Sequence, residues 1–327
     1  MKKIKAGIIG GAGYTGGELI RLLLLHSAVE IAFVQSTSSA DQFLSDVHTD
    51  LLGDTELKFV ADYRTDIDVL FLCGGHDAAR KFLNENDIPD SVVIIDLSQD
   101  FRHSDKNIAS GRSFIYGLPE LNREKIKVAK SIANPGCFAT SIELALLPLA
   151  AAGVLRGDVY INATTGSTGA GQAPGATTHF SWRDSNLSVY KPFAHQHLRE
   201  IAESLKVLQP ELASDLVFIP QRGNFTRGIH SAIVVRTDES LETLLGLYEH
   251  YYSVHPFVHV SRREIDMKQV VNTNKCLLHL EVSDGQVLIT SVIDNLLKGA
   301  SGQALQNMNL IFGLGETTGL LLKPSAF

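Results

Sequence analysis

One cysteine, Cys137, lies where its side chain could act as a nucleophile. Pro135 and Gly136 form a turn before it, and helix-compatible residues 142–147 follow it. This pattern predicts that Cys137 lies at or just before the first turn of a helix, where free main-chain N–H groups and the positive dipole end favour a thiolate. Lowering a thiol pKa from about 8.5 to about 7 takes about 2 kcal/mol, and a helix end supplies about 0.3–1 kcal/mol. A base or second positive group is therefore needed nearby; without one, Cys137 is a small buried thiol.

Two histidines, His195 and His197, are candidates for that base. On an extended segment their imidazoles project to one side, and on a starting helix Glu200 could orient His197. Two histidines and a carboxylate are what a thiolate–base pair needs, and either histidine could be the base. A metal pair is the alternative, but the sequence offers no third ligand, and the His-x-His pattern alone is more often structural than catalytic. We therefore predict Cys137, His195, His197 and Glu200 as catalytic residues and no metal.

Two arginines are candidates for binding anions. Arg102 follows the end of a predicted strand, where open parallel sheets place their ligand crevice, and its planar fork suits a carboxylate or a phosphate. A solvated surface arginine is the alternative for Arg102. Arg227 lies in residues 220–228, which we interpret as a basic and polar turn suited to an anionic substrate.

The N-terminal segment has the pattern of a dinucleotide-binding unit. Residues 4–10 read as a buried strand, residues 11–16 match Gly-x-Gly-x-x-Gly, and an apolar helix pattern follows. Glycines let the main chain approach a pyrophosphate, and the helix start supplies N–H donors; a glycine-rich turn without a ligand is the alternative. The predicted contacts are Gly11, Ala12, Gly13, Tyr14, Thr15 and Gly16.

The end of the next predicted strand, residues 30–35, indicates which cofactor binds. Ser36, Thr37, Ser38 and Ser39 follow it without the carboxylate that usually holds the ribose 2′-hydroxyl of NAD. Hydroxyl groups suit a 2′-phosphate better. The sequence therefore predicts NADP, with Ser36, Thr37 and Ser38 as contacts.

The remaining pattern predicts an α/β plus α+β architecture. Predicted strands 68–73 and 91–97 alternate with helical segments, which is typical of a Rossmann-type doubly wound parallel sheet. We interpret Cys73 as a core residue, and His76 as a cofactor contact or a surface loop residue.

The second half has predicted strands at 159–163 and 230–236, a loop at 164–171, a helix at 241–252, a hairpin at 276–293 and a last helix from 294 to about 312. We predict an NADP-binding domain (residues 1–137 and 299–327) and an antiparallel-sheet domain for substrate binding and oligomerisation (residues 138–298).

Composition narrows the function classes. The chain has 327 residues, a net charge of −7 and no basic stretch, which argues against nucleic-acid binding. Its three cysteines, Cys73, Cys137 and Cys276, are widely spaced, so we expect neither a disulfide framework nor a metal cluster, and we interpret Cys276 as core. We see no signal peptide and no membrane-spanning run, and we expect a cytoplasmic protein without membrane partners.

The motifs resemble those of the N-acetyl-gamma-glutamyl-phosphate reductase family, related to aspartate-semialdehyde dehydrogenases, along essentially the whole chain. The order of Pro135-Gly136-Cys137-Phe138 and His195-Gln196-His197 is specific. Aspartate-semialdehyde dehydrogenases usually place Asn directly before the cysteine, where this chain has Gly136. The matching segments are residues 10–17, 96–102, 116–120, 134–140, 195–201, 223–229 and 294–303.

The resemblance implies a reaction and further site residues. Cys137 would attack an acyl phosphate and form a thioester, NADPH would reduce it, and a semialdehyde would leave. Arg102 and Arg227 would bind the substrate's phosphate and α-carboxylate, and the family suggests a homotetramer or homodimer acting on a small-molecule substrate and phosphate. Many members carry His-Arg-His-x-Pro-Glu; this chain has Gln196 in place of the Arg and Arg199 in place of the Pro. Asn134 would contact substrate, and the implied further cofactor contacts are Ser98, Ser167, Gly169 and Asn295.

Other functions stay open at this point. The substrate could be another acyl phosphate, such as aspartyl phosphate, or carry an N-succinyl or carrier-linked rather than an N-acetyl group. A non-catalytic NADPH-binding regulator with this fold would not need the thiol and the histidine pair. A cysteine hydrolase would leave the dinucleotide motif without a use.

Overall fold

The computed structural model describes residues 2–75 and 77–325 and has two compact units. The first unit comprises Met1–Pro135 and Ala300–Leu321, and the second comprises Gly136–Gly299 and Leu322–Phe327. The sequence analysis placed Cys137 with the first unit. The helix that begins at this cysteine packs against strands of the second unit, so the cysteine belongs there.

The first unit contains a seven-stranded sheet in which every pair of neighbours is parallel, in the order β3-β2-β1-β4-β5-β9-β8. Strands β4 and β5 are apolar and buried along most of their length, as expected where helices cover both faces of a parallel sheet. The strands are β1 (Ile4–Ile9), β2 (Val29–Gln35), β3 (Phe59–Val60), β4 (Val69–Leu72), β5 (Val93–Asp96), β8 (Ile115–Tyr116) and β9 (Ser131–Ala133), with a small hairpin of β6 (Ile108–Ala109) and β7 (Arg112–Ser113). The helices are α1 (Tyr14–Leu24), α2 (Leu44–Val47), α3 (Ala78–Glu85), α4 (Pro119–Lys127) and α9 (Gly302–Ile311).

The second unit contains a seven-stranded mixed sheet in the order β11-β12-β10-β13-β16-β15-β14. Its strands are β10 (Arg156–Thr165), β11 (Ser188–Val189), β12 (Leu216–Arg222), β13 (Ile229–Arg236), β14 (Val258–Ser261), β15 (Cys276–Ser283) and β16 (Gln286–Ile293). Its helices are α5 (Cys137–Ala151), α6 (Phe180–Arg183), α7 (His197–Leu208) and α8 (Leu241–Tyr252). Single 3₁₀ turns lie at Thr49–Leu51, Ser167–Ala170 and Met267–Gln269, and a π-helical turn at Leu297–Ser301.

The prediction of an antiparallel sheet in the second unit is only partly correct. Most neighbours are antiparallel, but β10 pairs with β12 in parallel, and so does β14 with β15. A parallel pair needs a long crossover, and the segment between β10 and β12 supplies it because it includes α7. The sequence analysis also read residues 220–228 as a turn, whereas residues 220–222 end strand β12.

Helix α5 is the element that fixes Cys137. Every residue from Phe138 to Ala150 is buried, and the helix packs against β13, β16 and α7. Pro148 inside the helix has no N–H to donate to the carbonyl of Leu144. The buried hydroxyl of Tyr252 on α8 donates to that carbonyl instead, so the polar group is satisfied.

The hairpin β15–β16 and helix α8 have the residue bounds that the sequence analysis predicted. The predicted last helix from residue 294 is wrong at its start, because a π-helical turn precedes α9. Across residues 2–75 and 77–325, no helix combines the length and apolar character needed to span a bilayer.

Candidate active site

Cys137 is the first residue of α5, which confirms its predicted place at a helix start. Gly136, the N-cap residue, is extended (φ −72°, ψ 152°) and has no side chain that could cap the helix. The cysteine is partly exposed, whereas Cys73 and Cys276 are buried in the core, as predicted. The thiol therefore lies where the N–H groups of the first turn favour its ionised form.

Glu200 holds the main chain just before this cysteine. The N–H of Gly136 donates to Glu200 Oε1 at 2.7 Å, and Glu200 is buried on the first turn of α7. The sequence analysis predicted that Glu200 orients His197. This hydrogen bond gives the carboxylate a direct role in the position of Cys137.

His195 and His197 lie beside the residue that follows the cysteine. The ring of Phe138 is 5.4 Å from the His195 ring and 6.3 Å from the His197 ring, between centroids. The two imidazoles are 4.6 Å apart, and both are buried. The structure therefore brings the predicted histidine pair to the start of α5.

The surroundings of His195 define the state of its ring. The N–H of His197 donates to His195 Nδ1 at 3.3 Å, so the neutral His195 ring carries its proton on Nε2. Burial, and next the charge of Lys191, lowers the pKa of His195 to about 4. His195 is therefore a neutral imidazole at neutral pH, with both ring nitrogens assigned.

The sequence analysis missed two site residues, Tyr190 and Arg222. Burial raises the pKa of the Tyr190 phenol, the charge of Cys137 raises it further, and Arg222 opposes both effects. The guanidinium carbon of Arg222 lies 4.7 Å from the centroid of the Tyr190 ring. Arg222 lies in the segment 220–228 that the sequence analysis discussed, but nothing in the spacing of the two residues shows that they meet.

Gly299 is a third residue that the sequence analysis did not single out. A Cβ atom at this position would lie 2.8 Å from Cys137 Cβ, which is closer than real Cβ contacts. The residue lies in the π-helical turn Leu297–Ser301, a feature frequent at functional sites. The turn therefore packs directly against Cys137.

Arg227 forms an ion pair within the second unit. Its Nε and Nη2 donate to the buried carboxylate of Asp294 at 3.0 and 3.1 Å. Asp294 also accepts the N–H groups of Asn272, Leu296 and Leu297. Arg227 is thus held in a fixed orientation, and its contact with substrate stays a prediction.

Three predicted cofactor contacts lie close together in the second unit. Asn295 accepts the Gly228 N–H at 2.7 Å and donates to Thr168 Oγ1 at 3.0 Å. A Cβ at Gly169 would lie 4.0 Å from Asn295 Nδ2. The N–H of Ser167, two residues before Gly169, donates to the carbonyl of Phe225 at 2.8 Å.

In the first unit, the glycines at residues 11–16 fit a dinucleotide. A Cβ at Gly11 would lie 2.1 Å from Val34, and one at Gly16 would lie 2.6 Å from the main chain of Gly11, whereas one at Gly13 would meet only a carbonyl at 3.9 Å. Two glycines thus permit tight packing, and Gly13 leaves the open side that a pyrophosphate needs. Helix α1 starts directly after Gly13, at Tyr14, with no side-chain cap and no acidic residue in its first turn. The predicted contacts Ala12, Tyr14 and Thr15 therefore surround an unblocked helix N-terminus.

The hydroxyl residues after β2 also lie together. Ser36 Oγ and Ser38 Oγ are 3.3 Å apart; Ser36 is buried, whereas Thr37 and Ser38 are exposed. His48, which the sequence analysis missed, hydrogen-bonds through Nε2 to the carbonyl of Gly11 at 2.8 Å. His76 lies outside the described residues.

Other predicted contacts of the first unit have structural partners. Arg102 donates to the carbonyls of Asn134 and Leu97 at 2.9 and 3.1 Å. Asn134 is buried and donates to the carbonyl of Ala300 at 3.0 Å, and its contact with substrate stays a prediction. Ser98 is also buried and donates to Asp96 Oδ2 at 2.8 Å, so its hydroxyl holds the loop after β5.

Within residues 2–75 and 77–325, no three His, Cys, Asp or Glu side chains are grouped as a metal site would require.

Two family models match the chain. The semialdehyde dehydrogenase NAD binding domain matches residues 5–129, and the semialdehyde dehydrogenase dimerisation domain matches residues 137–295. With the glycine geometry, the first match indicates a nicotinamide cofactor. Among solved structures, aspartate semialdehyde dehydrogenase II from Vibrio cholerae has a TM-score of 0.74 at 16% identity, covering 95% of this chain and 99% of that chain. Aspartate semialdehyde dehydrogenase with NADP from Candida albicans has a TM-score of 0.71 at 16% identity, covering 95% of this chain and 99% of that one.

Curated relatives are much more similar in sequence. A protein from Bacteroides thetaiotaomicron is 57% identical over 325 residues, covering 99% of this chain and all of the relative. One from Flavobacterium johnsoniae is 56% identical over 324 residues with the same coverage. Both are named N-acetyl-gamma-glutamyl-phosphate reductase, which confirms the resemblance drawn from the motifs. The chain belongs to the N-acetyl-gamma-glutamyl-phosphate reductase family of the semialdehyde dehydrogenases.

Proposed function

We propose that the protein catalyses the NADPH-dependent reductive dephosphorylation of an N-acyl-γ-glutamyl phosphate to the N-acyl-glutamate 5-semialdehyde, a step of arginine biosynthesis. The observation that carries this proposal is the environment of Cys137. The thiol begins α5, its neighbour Phe138 contacts both imidazoles, and its charge acts on Tyr190. A nucleophile next to a base is the arrangement that acyl transfer requires.

The reaction proceeds in two stages. The Cys137 thiolate attacks the γ-carbonyl carbon, the C–O bond to phosphate breaks, and a thioester remains. The thioester carbon then accepts a hydride, which the reduced nicotinamide supplies when bound, and the tetrahedral species expels the thiolate to release the aldehyde. The N–H groups at the start of α5 stabilise the oxyanion in both stages.

We assign the base role to His197. The Nδ1 of His195 already accepts a hydrogen bond and its Nε2 carries a proton, so a neutral His195 has no free lone pair. His197 therefore takes the proton of the thiol, and His195 fixes the main chain of His197. Glu200 is a positioning residue that holds Gly136 and hence the cysteine.

The hydroxyl groups of Ser36, Thr37 and Ser38 support NADP over NAD, because residues 36–39 contain no carboxylate to pair with a ribose 2′-hydroxyl. The guanidinium groups of Arg102 and Arg227 supply positive charge for the substrate's phosphate and α-carboxylate. Each is oriented by the hydrogen bonds described above.

A homodimer or homotetramer is proposed as the active form. Helix α5 packs against α7, α8 and the sheet of the second unit. Along β10, buried residues alternate with Tyr160 and Asn162, which are exposed on the opposite face of the strand. The match to a dimerisation domain supports a second copy on that face. Light scattering should give at least twice the mass of one chain, and Tyr160→Arg should lower that mass, unlike the exposed control Val128→Arg of the first unit. A monomeric wild-type protein would contradict the proposal.

The central experiment is the reverse reaction with N-acetyl-glutamate semialdehyde, phosphate and NADP. Cys137→Ser should abolish NADP reduction while NADPH still binds, because the hydroxyl is a far weaker nucleophile. Cys276→Ser is the matched control, since Cys276 Sγ lies 3.7 Å from Ser291 Oγ and a hydroxyl is tolerated there. With NAD in place of NADP, the wild-type rate should be at least about tenfold lower. A near-wild-type rate of Cys137→Ser would falsify the mechanism, and equal turnover of aspartate semialdehyde would favour the sibling enzyme.

A further inference from the structure

Arg222 lies on the catalytic face of the second sheet. It ends β12, where it pairs in register with Thr165 of β10, a buried residue of the face that α5 covers. Phe218, four residues earlier on the same strand, has the same orientation because side chains alternate. The Phe218 ring is 5.2 Å from Phe138 and 5.4 Å from His195, between centroids. The side chain of Arg222 therefore points to the side of the sheet that carries the thiol and the imidazoles.

The other arginines of this region are committed to protein partners. Arg183 is buried and donates to the carbonyls of Thr177, Asn186 and Arg222 and to Ser188 Oγ. Arg227 is paired with Asp294 through two hydrogen bonds. Arg183 is thus fully engaged by protein acceptors, and the charge of Arg227 is shared with Asp294, so neither supplies an unpaired cation for a second anion.

The guanidinium group of Arg222 has no carboxylate partner. Among the residues that the structure describes, no Asp or Glu forms an ion pair with it, and its buried Nε has no hydrogen-bond acceptor. Its guanidinium lies over the Tyr190 ring. Burial lowers the pKa of Arg183, and the nearby charge of Arg222 lowers it further. A buried, unmatched donor beside a second cation attracts an anion that arrives from solution.

The position of Tyr190 between Cys137 and Arg222 indicates which anionic group of the substrate Arg222 binds. The charge of Cys137 acts on the phenol of Tyr190, and Arg222 stacks on the ring of that residue. The phosphate of the substrate is attached to the carbon that Cys137 attacks, whereas carboxylates lie farther along the molecule. An arginine that is linked to the cysteine through a tyrosine side chain suits the distant carboxylate, and its planar fork matches that group.

We infer that Arg222, stacked on Tyr190, binds a carboxylate of the acylated amino-acid substrate, either the α-carboxylate or one carried by the acyl group. The inference rests on the proposed function and names a specificity-determining residue for it. Arg222 binds substrate and takes no part in the chemical step, so its loss affects the Michaelis constant for the aldehyde.

The test measures kcat and KM separately in the reverse reaction for wild type, Arg222→Gln and Arg222→Lys. Arg222→Gln should raise KM for the semialdehyde by about 10- to 100-fold and change kcat by less than about threefold, because a charge-assisted pair is lost. Arg222→Lys, which keeps the charge without the fork, should recover part of the loss. Arg262→Gln, which changes an exposed arginine of the same unit, is the control and should match wild type.

Three aldehydes separate the two sources of carboxylate. If Arg222 binds the α-carboxylate, Arg222→Gln raises KM for the N-acetyl and N-succinyl glutamate semialdehydes alike and leaves N-acetyl-4-aminobutanal unaffected. If it binds a carboxylate of the acyl group, only the N-succinyl substrate is affected. Both results support the inference.

Two results would overturn it. One is an unchanged KM for every aldehyde in the Arg222→Gln enzyme, provided that this variant still binds NADP and is therefore folded. The other is a raised KM for phosphate alone, which would assign Arg222 to the phosphate. A wild-type enzyme that is inactive on all three aldehydes would instead refute the proposed function.

Discussion

At the scale of single residues, two imidazoles 4.6 Å apart are made unequal by their surroundings. His195 is enclosed by the rings of Phe138, Tyr190 and Phe218, which remove water from it. Desolvation disfavours its charged form, and the nearby Lys191 acts in the same direction. The pair therefore has one member fixed as a neutral hydrogen-bond acceptor and one assigned to move a proton.

Replacement of each histidine by asparagine should give different losses. His197→Asn should lower kcat/KM by about 10²- to 10⁴-fold, because general base catalysis is lost. His195→Asn should cost about tenfold or less and leave the acidic limb of the pH–rate profile in place, since His195, with a pKa of about 4, stays neutral above about pH 5. Steady-state kinetics from pH 5 to 9 measures both effects. A larger loss for His195→Asn would reverse the assignment.

At the scale of elements, the π-helical turn Leu297–Ser301 and the start of α5 are fitted to each other. Gly299 donates its N–H to the carbonyl of Asp294 at 2.9 Å, and its missing side chain leaves room for Cys137. Asp294 in turn holds Arg227 through a bidentate ion pair. The turn thus packs against Cys137, and its hydrogen bond to Asp294 connects it to the residue that holds Arg227.

Gly299→Ala should lower kcat by at least about tenfold and destabilise the protein by about 1–3 kcal/mol, because the new Cβ would overlap that of Cys137. Gly246→Ala is the matched control, since a Cβ at that position of α8 meets no atom within 4 Å. That control should keep full activity and gain about 0.5–1 kcal/mol from helix propensity. Kinetics and urea unfolding of both variants provide the measurement. Full activity of Gly299→Ala would show that α5 tolerates a displaced cysteine.

At the scale of the whole molecule, a buried acid makes stability depend on pH. Asp96 ends β5 and is fully buried, and burial raises its pKa to about 7, although hydrogen bonds from Ser98 oppose this shift. In the unfolded chain its pKa is close to 4. Between these two values the folded protein holds the proton more tightly. The contribution of Asp96 to stability is thus largest at low pH and falls as the pH rises to about 7.

Asp96→Asn should remove this dependence, because the amide does not titrate. The free energy of unfolding of the variant, relative to wild type, should increase between pH 4 and 7 and stay constant above pH 7. Urea unfolding at pH 4.5, 6 and 8 gives the difference. A constant difference across these pH values would show that Asp96 keeps an ordinary pKa in the folded state.

The sequence by itself determined the features that depend on near neighbours. The glycine turn before α1, the place of Cys137 at a helix start, helix α8 and the β15–β16 hairpin each follow from residues within a few positions of one another. Hydrophobic period, turn residues and helix caps are local properties, so they are legible in a single chain. The motifs that carry the family resemblance were also legible, because each is a short run of neighbouring residues.

The tertiary structure decided what depends on residues that are distant in sequence. Glu200 reaches Gly136 across 64 positions, Gly299 packs against Cys137, and the helical crossover pairs β10 with β12 in parallel. The pairing of Arg227 with Asp294 and the lack of an acceptor for Arg222 Nε are of the same kind. Such contacts are set by how helices and strands pack, and packing depends on the shapes of many side chains at once, so no local pattern contains it.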